Sequence, residues 1–185
     1  MAAARRAWAA DLLHVWFHHL APADRFTTNP EVDAELTRRF ASDWAALRGQ
    51  AAANFLDHPR TALAAVLLFD QVPRNVHRAT PLAFASDVLA RNIAHAALAR
   101  GWDHALSPGE RQFLAMPLMH SEAIADQRQS LAYYARLGPR FGAPFARAHY
   151  RMIDRFGRFP HRNAVLGRST TPDEKRFLDD GGFAG

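Results

Sequence analysis

Residues 62–69 read ALAAVLLF, and this stretch decides the class of fold that the chain can adopt. It is the longest run without a polar residue, yet it is far shorter than the ~20 apolar residues that a membrane-spanning helix needs. A helix that is apolar on every side is stable in water only when other elements surround it. The stretch therefore predicts a central, buried helix and no association with a membrane.

Apolar residues on either side of this stretch recur at helical spacing. No segment alternates between apolar and polar residues over the length of a strand, so the pattern predicts an all-α protein. The residues that define three apolar helix faces are Trp8, Leu12, Val15 and Trp16, then Val32, Leu36, Phe40, Trp44 and Leu47, and finally Phe141, Phe145, Ala148, Met152 and Phe156.

Proline marks the starts of the expected helices, because the N–H that it lacks has no partner in the first helical turn. Two segments also carry a capping box, Ser107 with Glu110 and Thr171 with Glu174. These signals predict about seven or eight helices, paired antiparallel, in a single domain over residues 1–185. The helix starts that we expect are Pro30, Pro59, Pro81, Pro108, Pro117, Pro144 and Pro172.

The composition excludes several classes of function. With no cysteine, the chain has no thiol nucleophile and no thiolate metal site, which fits a reducing compartment, and we expect the protein in the cytoplasm. The net charge is +5, and Lys175 is the one lysine among 23 basic residues. The arginines alternate with carboxylates and no helix is basic along one face, so the sequence does not indicate a nucleic-acid partner. No phosphate-loop, dinucleotide or zinc-protease motif is present, and no cofactor is expected.

A first polar cluster, DQVPRN at residues 70–75, directly follows the apolar stretch. Pro73 disfavours a helical Val72, so we expect a turn or kink there. Asp70 would then lie at the end of a buried helix, where a carboxylate needs a positively charged or hydrogen-bonding partner. Arg74 is a nearby partner, so Asp70, Arg74 and Asn75 either bind a ligand or form a buried pair that stabilises the turn.

A second cluster contains His120, Glu122 and Asp126. If a helix begins at Pro117, the two carboxylates are four residues apart on one face and repel unless a cation or proton lies between them. The spacing of His120 and Glu122 is not that of a zinc motif, and a metal site would need His149, His161 or Asp70 as well. We therefore expect no metal; an arginine–carboxylate network and a ligand site stay open. Asp87 is assigned to a helix cap or a solvated face.

A third cluster is a loop that is dense in charge and aromatic carbon, RFGRFPHRN at residues 155–163 with LGR at 166–168. Its arginines are suited to pair with the carboxylates of the second cluster or to bind an anion. Pro160 is expected to start a short helical turn. The side chains of interest are Arg158, His161, Arg162, Asn163 and Arg168.

These motifs together resemble a bacterial family known as domain of unknown function nine-two-four. The resemblance rests on residues 70–75 with 83–87, on 110–127 and on 155–168, in that order. It implies a single helical domain similar to the tetratricopeptide-like superfamily, with antiparallel helix pairs stacked into a curved array. It implies no reaction and no cofactor. One departure from the family pattern is Ala79, where we expect glycine.

Two functions follow from this reading, and whether the protein is an enzyme stays open. The first is a pocket for a small anionic or zwitterionic ligand, with His120, His161 and Glu122 as candidate catalytic groups. The second is a protein-interaction scaffold, in which the polar motifs only hold helices together. The candidate ligand-binding residues of the pocket are Asp70, Arg74, Asn75, Asp126, Arg158, Arg162, Asn163 and Arg168.

Overall fold

The structure of the protein, a computed structural model, describes residues 6–182. These residues form eight helices and no strand, which confirms the all-α prediction. No helix in this range is both long and apolar enough to cross a membrane. The helices are α1 (Ala7–His14, continuing as a π-helical turn, Val15–His19), α2 (Pro30–Leu47), α3 (Pro59–Val66, a π-helical turn Leu67–Gln71, then Val72–Val76), α4 (Asp87–Ala99), α5 (Pro108–Met119), α6 (Ile124–Leu137), α7 (Ala143–Phe156) and α8 (Pro172–Asp179).

Most of the expected helix starts are confirmed. Pro30, Pro59, Pro108 and Pro172 each open an α-helix, and the capping box of Thr171 and Glu174 is formed in full. Ser107 and Glu110 exchange the same two hydrogen bonds at the start of α5. Proline at these positions loses no hydrogen bond, which is why the signal was informative.

Three other prolines behave differently. Pro81 opens a 3-10 turn, Pro81–Phe84, and Pro144 is the second residue of α7. Pro117 lies inside α5, so the expectation that a helix begins there is wrong. A proline is compatible with both the first turn and the interior of a helix, and the local sequence did not distinguish them.

The chain divides into two compact units, residues 6–78 with 82–117 and residues 79–81 with 118–182. The single domain expected over residues 1–185 stays a prediction, and residues 1–5 and 183–185 lie outside the described part of the chain. Each unit is described by itself below.

The first unit is built around α3, as the apolar stretch predicted. Every residue from Thr61 to Pro73 is buried, and α1, α2 and α4 each pack against part of this helix. Aromatic rings fill the remaining space: Phe55 lies 5.0 Å from Phe69, edge to face, and Trp16 lies 5.5 Å from Phe113. Such pairs add stability beyond the burial of area.

The second unit contains α6, α7 and α8, the segment 118–123 before α6, the loop that joins α7 to α8, and the short segment 79–81. Helices α6 and α7 pack as a pair, joined by the short turn Pro139–Phe141. The apolar face expected for α7 is partly wrong, because Phe145 is 59% exposed. The face that α7 buries holds Ala146, His149, Met152 and Ile153. The buried face of α7 therefore contains His149, whereas Phe145, which was expected on that face, is exposed.

Candidate functional site

The first polar cluster lies in the first unit, and its groups are bonded to one another. Arg74 forms a bidentate ion pair with Asp87, at 2.9 and 3.0 Å, and its Nη1 lies 3.2 Å from the carboxylate of Asp70. Asn75 donates from Nδ2 to the carbonyl of Gln71 at 2.9 Å. Asp87 had been assigned to a cap or a solvated face, and its pairing with Arg74, 13 residues away, was missed.

The expectation that Pro73 keeps Val72 out of a helix is wrong, since Val72 is helical with φ −53° and ψ −49° and the helix continues to Val76. The helix accommodates the proline through the π-helical turn Leu67–Gln71 that precedes it. Proline provides no N–H for the preceding turn, and the carbonyl of Phe69 instead accepts a hydrogen bond from the hydroxyl of Ser86 at 2.7 Å. The indole N–H of Trp44 donates to the same hydroxyl at 2.9 Å.

The second polar cluster belongs to the second unit. Helix α5 ends at Met119 and α6 begins at Ile124, so Glu122 lies in a loop and does not share a helix face with Asp126. The expected repulsion between these carboxylates is therefore wrong. Asp126 accepts a hydrogen bond from the Ser121 hydroxyl at 2.6 Å, which ties the loop to the first turn of α6.

Glu122 is paired with Arg168, from the third cluster. Two nitrogens of the Arg168 guanidinium lie 2.7 and 3.0 Å from the two oxygens of Glu122, and the N–H of Phe159 donates to the same carboxylate at 2.8 Å. Burial opposes ionisation of Glu122, but these hydrogen bonds outweigh it and lower its pKa. Glu122 is therefore an ionised acceptor, which does not suit it to act as a general acid.

Glu174 and Arg158 form a second ion pair in the same unit. The carboxylate of Glu174, which is 2% exposed as a residue, accepts from two nitrogens of Arg158 at 2.6 and 2.9 Å. Asn163 donates to it at 3.2 Å, and the Thr171 N–H at 2.8 Å. The bond from Arg158 is the largest cause that lowers the pKa of Glu174, to about 2. Arg158 and Asn163 thus hold α8 against the loop that precedes it.

The histidines of the second unit lie together, next to Arg162. The rings of His120 and His149 are 6.1 Å apart, and the ring of Phe159 lies 5.4 Å from His149 and 5.5 Å from His161. The guanidinium of Arg162, a residue that is 7% exposed, lies 4.4 Å from the centre of the Phe159 ring. His120 and His161 are half-buried and His149 is buried. We call these four residues, His120, His149, His161 and Arg162, the histidine cluster.

The electrostatics of the histidine cluster favour neutral imidazoles at His149 and His161. Burial, followed by the charges of His120, Arg162 and His161, lowers the pKa of His149 to about 3. Burial and then Arg162 lower the pKa of His161 to about 4, although Glu122 opposes the change. His149 Nδ1 lies 2.9 Å from the carbonyl of Phe145, so this nitrogen carries the proton of the neutral ring.

The described residues contain no group of three or more histidine and acidic side chains arranged to hold a metal ion. The structure brings Glu122, Arg158, His161, Arg162, Asn163 and Arg168 into one unit, as the sequence suggested for the second and third clusters. His149 had been considered only as a metal ligand, and its place beside Arg162 was missed. That Asp70, Arg74 and Asn75 join these residues in one site stays a prediction.

Comparisons with known proteins give a family and a similar structure. The sequence model of the family described as "Bacterial protein of unknown function (DUF924)" matches residues 12–182. The structure of a protein of unknown function from Agrobacterium tumefaciens is similar, with a TM-score of 0.89 and 36% sequence identity, over 95% of this chain and 98% of that one. No curated protein matches this chain. The family resemblance seen in the motifs is confirmed, and the tetratricopeptide-like superfamily stays a prediction.

Proposed function

The chain belongs to this bacterial family of unknown function, and on that premise we propose that its second unit binds a small anionic ligand at the histidine cluster. The observation that carries the proposal is the buried guanidinium of Arg162, next to imidazoles whose pKa values it lowers. Guanidinium is always charged in proteins, so the positive potential at this place is permanent. An anion would be attracted to it, and would offset the positive charge that, after burial, lowers the pKa of His149 and His161.

The geometry supports an order of contacts for such a ligand. His120 and His161 are half-buried and therefore reachable from solvent, while Arg162 and His149 lie deeper. Neutral imidazole offers one N–H donor and one acceptor, which suits a phosphate or carboxylate that carries a hydroxyl or an amine beside it. If the site is catalytic, His120 or His161 would transfer the proton and the ionised Glu122 would act through its charge.

The stabilisation of the protein by a bound anion is expected to depend on pH. Both His149 and His161 have pKa values lowered below their usual 6.5, so the unfolded chain binds more protons than the folded one as the pH falls below 6.5. This contribution to stability is complete above pH 6.5 and is lost as the pH falls toward the folded values. A bound anion raises both pKa values, and it should therefore stabilise the protein more in weak acid than at neutral pH.

A titration with inorganic phosphate tests the proposal, with sodium chloride at equal ionic strength as the reference salt. The measurement is the NMR signal of each imidazole Cε1–H at constant pH. We expect the His149 and His161 signals to move toward the protonated position as phosphate is added. Arg162→Gln should abolish this movement and, without phosphate, should raise the pKa of both histidines, because one of the charges that lower these values is gone while the burial remains.

Two further variants complete the experiment. His161→Gln keeps Arg162 and should weaken phosphate binding by about fivefold or more, which covers the case in which Arg162→Gln does not fold. Arg136→Gln, an exposed charge change on α6, is the matched control and should bind phosphate as the wild type does. Imidazole signals that respond to phosphate no more than to chloride would end the proposal.

A scaffold for another protein is the second candidate, and the ion pairs favour it. Under this reading the motif charges saturate one another, as Glu122 with Arg168 and Glu174 with Arg158 do. The scaffold then binds a partner through other surfaces, and phosphate and other small anions leave the histidine signals unchanged. The phosphate titration separates the two candidates. We also propose the cytoplasm as the location, on the cysteine-free composition alone.

A further inference from the structure

A hollow of about 290 Å³ lies in the second unit between α7 and α8, outside the histidine cluster. Its lining is largely apolar: the rings of Phe156 and Phe177 lie 5.1 Å apart, and both pack against the buried cluster that contains Met152. This volume is close to the lower end of the range of about 300–1,000 Å³ that is typical of small-molecule sites. The residues that line the hollow are Ala148, Arg151, Met152, Arg155, Phe156 and Phe177.

Two arginines, Arg151 and Arg155, line this hollow, and together they carry more positive charge than nearby carboxylates neutralise. Arg155 lies 4.6 Å from the Phe156 ring and 5.8 Å from the Phe177 ring, and pairs with Asp173 at 3.3 Å. Asp173 also accepts a hydrogen bond from Arg176 at 3.0 Å, so one carboxylate serves two cations. Arg151 is exposed and forms no ion pair or side-chain hydrogen bond with any residue between 6 and 182.

We propose that this hollow binds a small carboxylic acid with an apolar body, of the aryl or short-chain aliphatic class. The body would pack on Phe156, Phe177 and Met152, and the carboxylate would accept hydrogen bonds from Arg151. A guanidinium is a planar fork whose donors match the two oxygens of a carboxylate. An apolar floor with one well-placed charge is the usual composition of a site for such a ligand.

Phenylacetate is the probe, and phenylacetamide, which has the same ring and no charge, is its neutral counterpart. The measurement is the movement of backbone amide signals of residues 148–156 and 173–178 in the full chain. We expect phenylacetate to move these signals in a saturable way, and phenylacetamide to bind about fivefold or more weakly, because it cannot form the charged pair with Arg151.

Arg151→Gln removes the unpaired charge and should weaken phenylacetate binding by about fivefold while leaving phenylacetamide unchanged. Arg147→Gln is the matched control: Arg147 is exposed one turn earlier on α7, has no partner between residues 6 and 182, and does not line the hollow. Both positions are exposed, so both variants are expected to fold, which far-ultraviolet circular dichroism verifies.

Three results would overturn the inference: no saturable movement with phenylacetate, equal binding of the acid and the amide, or equal weakening by Arg147→Gln and Arg151→Gln. The site does not depend on the histidine cluster, because phenylacetate is followed at α7 and α8 and phosphate at the imidazole signals. Failure of one titration therefore leaves the other interpretable.

Discussion

The second unit buries more titratable side chains than the first, in which the buried carboxylates are Asp70 and Asp103. In the first unit α3 is enclosed by apolar neighbours, and its carbon-rich residues from Ala62 to Phe69 have no exposed surface. In the second unit a histidine, an arginine, an asparagine and a glutamate, namely His149, Arg162, Asn163 and Glu174, are each 7% exposed or less. Burial of apolar surface depends little on pH or salt, whereas charge pairs depend on both. The second unit should therefore lose more stability in weak acid than the first, because burial lowers the pKa of His149 to about 3 and that of His161 to about 4.

The chain provides a natural way to observe the units separately. Its four tryptophans, at positions 8, 16, 44 and 102, all lie in the first unit, and its three tyrosines, at 133, 134 and 150, all lie in the second. Tryptophan fluorescence therefore follows the first unit, and amide NMR signals of α8 follow the second.

The largest effect is expected from Phe69→Ala, in the core of the first unit. Phe69 has no exposed surface, and truncation leaves a cavity beside Phe55, so the free energy of unfolding should fall by about 3–5 kcal/mol. Urea unfolding followed by tryptophan fluorescence measures this loss, which should be the same at neutral pH and at about pH 5. Val88→Ala, at a side chain that is 59% exposed, is the control. A loss no larger than that of Val88→Ala would contradict the central place of α3.

A smaller, pH-dependent effect is expected from Glu174→Gln in the second unit. Glutamine keeps the shape and the capping acceptor but loses the charge paired with Arg158, which should cost about 1.5–3 kcal/mol at neutral pH. The pKa of Glu174 is lowered to about 2, so its contribution is complete above the unfolded value of 4.5 and is lost as the pH falls toward 2. The difference between variant and wild type should therefore shrink in acid.

Urea unfolding followed by the amide signals of residues 172–179 measures the effect of Glu174→Gln at several pH values. Asp179→Asn removes an exposed partner of Lys175 from the same helix and should change stability by about 0.5 kcal/mol or less, because solvent screens this pair. A loss for Glu174→Gln that is constant with pH would show that the ion pair is not its cause.

The smallest effect is expected from Ala79→Gly, at the first residue of the segment 79–81, which belongs to the second unit. Ala79 has a φ of +59°, a left-handed conformation that strains any residue with a Cβ atom. Glycine relieves the strain but adds freedom to the unfolded chain, so a net gain of about 0.5 kcal/mol is expected. Ala51→Gly, at a φ of −69°, should instead lose stability. Thermal unfolding of both variants should thus give shifts of opposite sign.

Ala79 also shows that a family resemblance can predict a local backbone conformation. The resemblance led us to expect glycine there, and the structure has the positive φ that favours glycine. The residue type alone carried no such information, because alanine is compatible with almost any segment.

The sequence by itself determined the helical class, the buried central helix, most helix starts and both capping boxes. These features depend on residues a few positions apart, such as Thr171 and Glu174. The interactions that stabilise them form within one or two helical turns. The sequence misplaced Glu122 on a helix and Phe145 in a core, because Pro117 and the helical spacing each fit more than one local structure.

Only the tertiary structure decided which charges are paired and which imidazoles are buried. Arg168 reaches Glu122 across 46 residues, and Arg158 reaches Glu174 across 16. Which arginine pairs with which carboxylate depends on the arrangement in which every buried charge has a hydrogen-bonding partner. That arrangement involves residues far apart in the sequence, so no local pattern predicts it. The lowered pKa values of His149 and His161 arise in the same way, since desolvation comes from side chains that only folding brings into contact.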